Sequence, residues 1–148
     1  MHPVWRGCVA AIGSLACVAP CLAAPPCEGW IARLASVEGR VETRQGGSPI
    51  WERAVPEQRL CPGDSVRTDS RSRAVVSLRS NAALRLDSAT SLTLPPADLP
   101  GSWLDLLRGA FHYLSHRPQS LRIRTPFVNA AVEGTEFMLA VEDARTIT

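Results

Sequence analysis

The sequence predicts a single all-β domain of short, mostly antiparallel strands arranged as a sandwich or a roll. Apolar and polar residues alternate with period two through most of the chain after residue 23, which is typical of strands with one buried face. Turn-forming residues interrupt these runs at close intervals, as they do in all-β folds. The 148 residues suffice for one domain and not for two.

The first strands are separated by clear turn signals. Glu38-Gly39 divides the predicted strands 31–37 and 40–44, which we expect to form an N-terminal hairpin. Pro62-Gly63 fits a type II turn, because glycine accepts the positive φ that this turn requires. Further alternating runs occupy residues 73–79, 84–87, 91–94, 121–124 and 137–142.

Two segments near the end of the chain depart from this strand pattern. Residues 102–107 predict a short helix, which Ser102 would cap and which would bury Trp103, Leu104 and Leu107 on one face. Residues 142–145 are typical of a hairpin turn, and 146–148 of the start of a return strand. A return strand this short predicts a last strand that is incomplete and a fold that is truncated at its C-terminus.

The N-terminal residues have the pattern of a secretory signal peptide. A short segment carrying Arg6 precedes an apolar run, and small residues lead to a cleavage site after Ala23. The alternative is an uncleaved membrane anchor, although the apolar run is short for a spanning helix. We therefore expect residues 1–23 to be a signal peptide, residues 24–148 to be a periplasmic or otherwise exported domain, and no stable membrane span after cleavage.

Two cysteines, Cys27 and Cys61, remain after removal of the signal peptide. An even pair in an exported protein favours a disulfide. The alternative is two separate buried thiols, since free cysteine packs as a small apolar residue.

The charge balance excludes one class of partner. The chain has 16 basic and 14 acidic residues, a formal net charge of +2, and every basic side chain other than histidine is arginine. A protein held to nucleic acid by a broad basic face would carry a larger positive excess, so no nucleic-acid partner is expected.

No constellation of residues predicts catalysis, a metal site or a cofactor. His112 and His116 lie four residues apart, but zinc requires three or four ligands and no others are near in sequence. Asp64 follows Pro62-Gly63, where a carboxylate more often satisfies the backbone of the turn than acts as a general acid or base. The sequence therefore predicts a protein that is not an enzyme.

Arginines on alternating strands form the strongest charge feature. They are Arg67, Arg71, Arg73, Arg79 and Arg85. They could form a stripe facing an acidic partner surface or a cell-wall polymer, with Arg73, Arg79 and Arg85 as the partner-facing residues. The alternative is a solvated face that Asp64, Asp69 and Asp87 balance.

The order and spacing of the turn and motif residues resemble those of the FecR family, whose domains are all-β periplasmic modules. The matching segments are residues 35–41, Trp51, 60–64, 67–68, 72–74, 84–86, 106–109, 125–126 and 131–137. The resemblance implies structural roles for Gly63 and Asp64, and for the segment Gly134-Thr135-Glu136-Phe137. In that segment we expect Gly134 to adopt a positive φ in a turn that leads into a strand, and Phe137 to enter the core.

The resemblance also implies a role in protein interaction or signal relay. Family members like the founding one carry a cytoplasmic anti-sigma segment before this domain, whereas here the signal peptide directly precedes it. We therefore expect an exported, non-enzymatic module that binds envelope proteins. The alternative is a module that binds peptidoglycan or polysaccharide through the arginines or through Trp30, Trp51 and Trp103.

Overall fold

The fold is an antiparallel β-structure, seen in a computed structural model that describes residues 27–96, 103–142 and 145–147. Within these residues there are eleven strands and no helix, which confirms the predicted all-β class. The strands are Ala32–Glu38 (β1), Val41–Arg44 (β2), Glu52–Arg53 (β3), Arg59–Leu60 (β4), Ser65–Thr68 (β5), Arg73–Leu78 (β6), Ala82–Leu86 (β7), Ser91–Thr93 (β8), Trp103–Arg124 (β9), Asn129–Glu142 (β10) and Arg145–Ile147 (β11). The predicted signal peptide and its cleavage after Ala23 lie outside the described residues and stay predictions.

All eleven strands belong to one curled sheet. The order along it is β3-β2-β5-β8-β9-β7-β6-β1-β4, and β10 pairs with β9 on one side and with β11 on the other. β9 contacts three strands because it is long: its first part pairs with β8, its middle with β7, and much of its length with β10. β9 and β10 are therefore much longer than the short strands that the sequence predicts.

The predicted N-terminal hairpin is wrong, although its turn exists. Gly39 has φ of 73° and connects β1 to β2. However, β1 pairs with β4 and β6, whereas β2 pairs with β3 and β5. The turn packs against Ser72, whose hydroxyl oxygen accepts a hydrogen bond from the Arg40 N–H at 2.9 Å. The connection thus joins two distant parts of the curled sheet instead of two neighbouring strands.

The core follows the period-two pattern. In β7, for example, Ala82, Leu84 and Leu86 are buried while Arg85 is exposed. The buried apolar side chains are mainly leucine, valine and alanine, and Phe111 and Tyr113 are the largest of them. One face of the sheet therefore supplies a single core, and the opposite face carries the charged residues.

The segment predicted as a short helix begins β9. Leu104 and Leu106 are buried, whereas Leu107 between Leu106 and Arg108 is 50% exposed. The helix would have buried Leu107 instead, so the helix prediction is wrong; Ser102, its expected cap, lies outside the described residues. Over six residues the apolar spacing fits the period of a helix as well as that of a strand. The pairing of Leu106 with Leu92 makes this segment a strand.

A bulge interrupts the pairing of β9 with β10. Gln119 lies opposite Gly134, and the ladder resumes with Leu114 opposite Glu136, so residues 115–118 lie opposite Thr135 alone. Gly134 has the positive φ that was expected, 159°, but it lies inside β10, so the turn predicted there is wrong. A Cβ added to Gly134 would meet no atom within 4 Å. The irregularity at this motif therefore belongs to the opposite strand.

The predicted disulfide is present and lies beside a tight turn. Cys27 and Cys61 are bonded, with Cα atoms 6.0 Å apart. At Cys61 the chain turns: the Asp64 N–H donates to the Cys61 carbonyl at 3.1 Å, and Gly63 has the positive φ, 83°, that was expected. The Asp64 carboxylate accepts hydrogen bonds from the N–H groups of Cys61 at 2.8 Å and Gly46 at 3.0 Å. Asp64 thus holds two loops together through their backbones.

Replacing Asp64 with alanine is expected to lower the free energy of unfolding by about 1–3 kcal/mol, because it removes the acceptor of two partly buried backbone donors. Urea-induced unfolding measures the loss. Asp69→Ala is the matched control, since among the described residues the exposed Asp69 carboxylate accepts only from the adjacent Ser70 N–H, and its change should stay within about 0.5 kcal/mol. Equal effects of the two substitutions would contradict the structural role of Asp64.

Candidate functional site

An open groove of about 1010 Å³ crosses one end of strands β4, β1, β6, β7 and β9. The register of the sheet determines which residues form the floor of the groove. Arg33 in β1 lies opposite Ser77, which lies opposite Ala83 in β7, which lies opposite Leu114 in β9. Because the two central residues of this row are small, the outer face of the sheet is recessed there, and both line the groove.

One wall of the groove consists of arginines arranged around Trp30. The guanidinium carbon of Arg79 lies 4.7 Å from the centroid of the Trp30 ring, and that of Arg59 lies 5.3 Å from it. Arg79 Nη1 also donates to the Trp30 carbonyl at 3.4 Å. Arg33 lies directly opposite Arg59 in the β1–β4 ladder. Stacking on the indole therefore positions two cations that would otherwise move freely on long side chains.

The other wall is the bulge of β9, which contributes Ser115, His116 and Arg117, together with Gln119, the paired residue that directly follows it. The Ser115 hydroxyl donates to the Arg117 carbonyl at 2.8 Å and holds the bulge in shape. Gln119 Nε2 donates to the Ser80 carbonyl at 2.8 Å, while its Oε1 accepts from the Tyr113 hydroxyl at 3.4 Å. These bonds attach the bulge to the β6–β7 turn, so the two walls of the groove are fixed relative to each other.

The groove has an excess of positive charge. Of the residues that the structure describes, four arginines line it and no acidic residue does. Arg33 has an acidic partner just outside, Glu57, whose Oε2 lies 2.6 Å from Arg33 Nη1. Among the described residues, the other three arginines have no ion pair with a carboxylate.

A second pocket, of about 400 Å³, differs from the groove in its charge. Arg40, Arg67 and Arg108 line it together with Glu42, whose carboxylate lies 2.6 Å from Arg67 and 3.4 Å from Arg40. The hydrogen bond from Arg67 holds the pKa of Glu42 below its ordinary value. The charge of this pocket is thus partly neutralised from within, which is not the case in the groove.

The arrangement in the groove suits the binding of anions. Guanidinium groups donate forked, charge-assisted hydrogen bonds to carboxylates and phosphates. Within the described ranges, no group of three or more histidine, cysteine or acidic residues is placed to hold a metal ion. His112, one of the two histidines considered for zinc, binds the Glu136 carboxylate at 2.9 Å, and His116 lies in the groove.

The predicted arginine stripe is divided by the structure. Arg79 lies in the groove, whereas Arg73 lies at the opposite end of β6 with its Nε 3.5 Å from Asp87. Arg85 is exposed between them, opposite His112. Arg67 binds Glu42. Of the three arginines expected to face a partner, only Arg79 therefore belongs to the groove.

The remaining residues of the family motif support the sheet. Thr135 is exposed at the bulge, and Glu136 binds His112 as described. Phe137 packs against the core, where its ring stacks on Tyr113 at a centroid distance of 4.7 Å and meets the edge of Phe111 at 6.2 Å.

Sequence reasoning missed most of the groove. Its cations come from β1, β4, the β6–β7 turn and the bulge of β9, and Trp30 precedes β1. No local pattern links residues 30 and 117, because the sheet register alone brings them together. No sequence signal pointed to these contacts; in the structure all three tryptophans expected to be exposed, Trp30, Trp51 and Trp103, have two guanidinium groups over the ring, at 4.1–5.5 Å.

Comparison with known proteins bears on the family of the chain. The described part of the chain contains no helix that is long and apolar enough to cross a membrane. No curated protein and no solved structure matches the sequence. The family model described as FecR protein matches residues 64–148, which is more than half of the chain. These residues contain β5 to β11, with one wall of the groove and the Gly134–Phe137 motif. The chain therefore belongs to the FecR family.

Proposed function

We propose that this protein is an exported, non-enzymatic module that takes part in signal relay in the periplasm by binding another protein of the cell envelope. Its membership of the FecR family carries this proposal, since that family is typically connected with periplasmic signal transduction. The Cys27–Cys61 disulfide supports export, because structural disulfides persist in oxidising compartments.

The electrostatics of the surface support a protein partner. The groove presents fixed, largely unpaired guanidinium groups, which suit an acidic protein surface. Binding of polysaccharide would use exposed aromatic faces, but arginine side chains already lie over the rings of Trp30, Trp51 and Trp103. The three tryptophans that the glycan-binding alternative would use therefore already have guanidinium groups over their rings.

Photo-crosslinking in intact cells tests this proposal independently of where the partner binds. A photoreactive amino acid is placed at one of three exposed positions, Ile50, Asn81 or Arg85. We expect at least one position to give a discrete adduct with an envelope protein, identified by mass spectrometry. Sedimentation of the purified protein with insoluble peptidoglycan is measured in parallel. Sedimentation without a protein adduct at any position would overturn the proposal in favour of the glycan-binding alternative.

A further inference from the structure

We propose that the groove binds an extended, carboxylate-rich segment of the partner protein, with Arg59, Arg79 and Arg117 as the principal contacts. This inference rests on the proposed function and specifies the chemistry of the partner. It is carried by three features of the groove: the sign of its charge, the fixed position of its cations, and its length.

The charge of the groove selects an anion. Arg59, Arg79 and Arg117 have no carboxylate partner among the described residues, and Arg33 shares its charge with the exposed Glu57. A segment with several aspartate or glutamate side chains would complete these pairs. Because like charges lie opposite each other at Arg33 and Arg59, a carboxylate bound between them would also relieve their repulsion.

Two of the three principal cations have their side chains held in place before the partner arrives, and the third, Arg117, has its backbone held. Arg59 and Arg79 stack on Trp30, and Arg117 is part of a bulge whose backbone is bonded to Ser115. Ordering a long side chain on binding costs on the order of 0.5–1.5 kcal/mol. Side chains that are already ordered avoid much of this cost, so the groove is suited to recognise a flexible segment.

The dimensions of the groove favour an extended segment over a single small anion. It crosses five neighbouring strands, from β4 to β9, and at about 4.8 Å per strand spacing this amounts to about 19 Å. An extended chain rises about 3.3 Å per residue, so about six residues would fill this length. The arginines lie at both ends and near the middle of the row, where alternate side chains of such a segment would reach them.

Fluorescence anisotropy with two labelled peptides tests the inference directly. The probes are hexaglutamate and hexaglutamine, added to the purified, oxidised protein at low ionic strength. We expect saturable binding of hexaglutamate that weakens as salt is added, and no saturable binding of hexaglutamine. Equal binding of the two peptides would overturn the proposal.

Substitutions in the groove show where the peptide binds. The double variant Arg59→Gln/Arg79→Gln should lower the affinity for hexaglutamate at least tenfold. The matched control is Arg44→Gln/Arg67→Gln, which removes two arginines stacked on Trp51 outside the groove and should change the affinity less than twofold. Urea-induced unfolding of both variants identifies any loss of folding. A control variant that weakens binding as strongly as the groove variant, with both folded, would contradict a site in the groove.

Two further outcomes separate this inference from the proposed function. If the groove variant forms the same protein adducts in cells as the unchanged protein, the partner binds elsewhere: the groove inference fails and the proposed function stands. If inorganic polyphosphate displaces hexaglutamate at a much lower concentration than unlabelled hexaglutamate does, the groove is a phosphate site, which also overturns the inference. Loss of the adducts in the groove variant, with the control unchanged, supports both proposals.

Discussion

Replacing Gly109 with alanine is expected to lower the free energy of unfolding by about 2–5 kcal/mol, the largest effect of any single substitution considered for this protein. Gly109 has φ of 85°, which disfavours any residue with a Cβ. A Cβ there would also lie 2.5 Å from the Thr90 Cα and 2.7 Å from the Ala89 carbonyl oxygen. These are backbone atoms, so rotation of a side chain cannot relieve the overlap.

The position of Gly109 explains why so close an approach is needed. β9 pairs with β8 up to Arg108 and with β7 from Phe111 onward, so Gly109 lies where the strand changes neighbours. The Thr90 hydroxyl oxygen accepts from the Ala110 N–H at 3.0 Å, which locks the β7–β8 connection against this point. A bulkier residue would push apart the two parts of the sheet that β9 joins.

Gly47→Ala is the matched control for this prediction. Gly47 has a similar φ, 80°, but a Cβ added there would meet no atom within 4 Å. Its loss should be limited to the conformational cost of about 1–2 kcal/mol. Urea-induced unfolding of both variants separates the conformational cost from the cost of the overlap at Thr90. Equal losses of stability would show that the contact with Thr90 does not restrict residue 109.

Removal of the disulfide is expected to cost roughly 3–4 kcal/mol, as the chain-entropy model gives for a loop of this length. The bond joins residues 34 apart in sequence, and the chain between them contains β1 to β4. The double variant Cys27→Ser/Cys61→Ser should show this loss in urea-induced unfolding without reductant.

Reductant provides the control for the disulfide prediction. Reduction should destabilise the unchanged protein by about as much as the double substitution does, and should leave the double variant unaffected. A double variant as stable as the unchanged protein would contradict a stabilising role for the bond.

The strands could be predicted where the sequence itself alternates. In β6 and β7 apolar residues occupy every second position, and the side chains at these positions are buried except that of Leu78, which is half-buried. The turn at Gly63 and the pairing of Cys27 with Cys61 could be anticipated as well, because each depends on few residues and on local chemistry.

The errors arose where partners are distant in sequence. The segment at Leu104 and Leu106 is too short for its apolar spacing to distinguish a strand from a helix, and pairing with β8 decides the outcome. At Gly134 a glycine suggested a local turn, whereas the irregularity lies in residues 115–118 of the facing strand. The groove depends on the register of five strands, which no single stretch of sequence encodes.

The strand order has a consequence for how the domain folds. β1 lies between β4 and β6, and β2 lies between β3 and β5, so the first strands find some of their neighbours only when later segments are available. β9 must in turn meet β7, β8 and β10. Since such non-local encounters slow folding, we expect this domain to fold in milliseconds to seconds and not in microseconds. Cys27 precedes β1 and Cys61 follows β4. Early oxidation would therefore keep these two strands close before β6 pairs with β1.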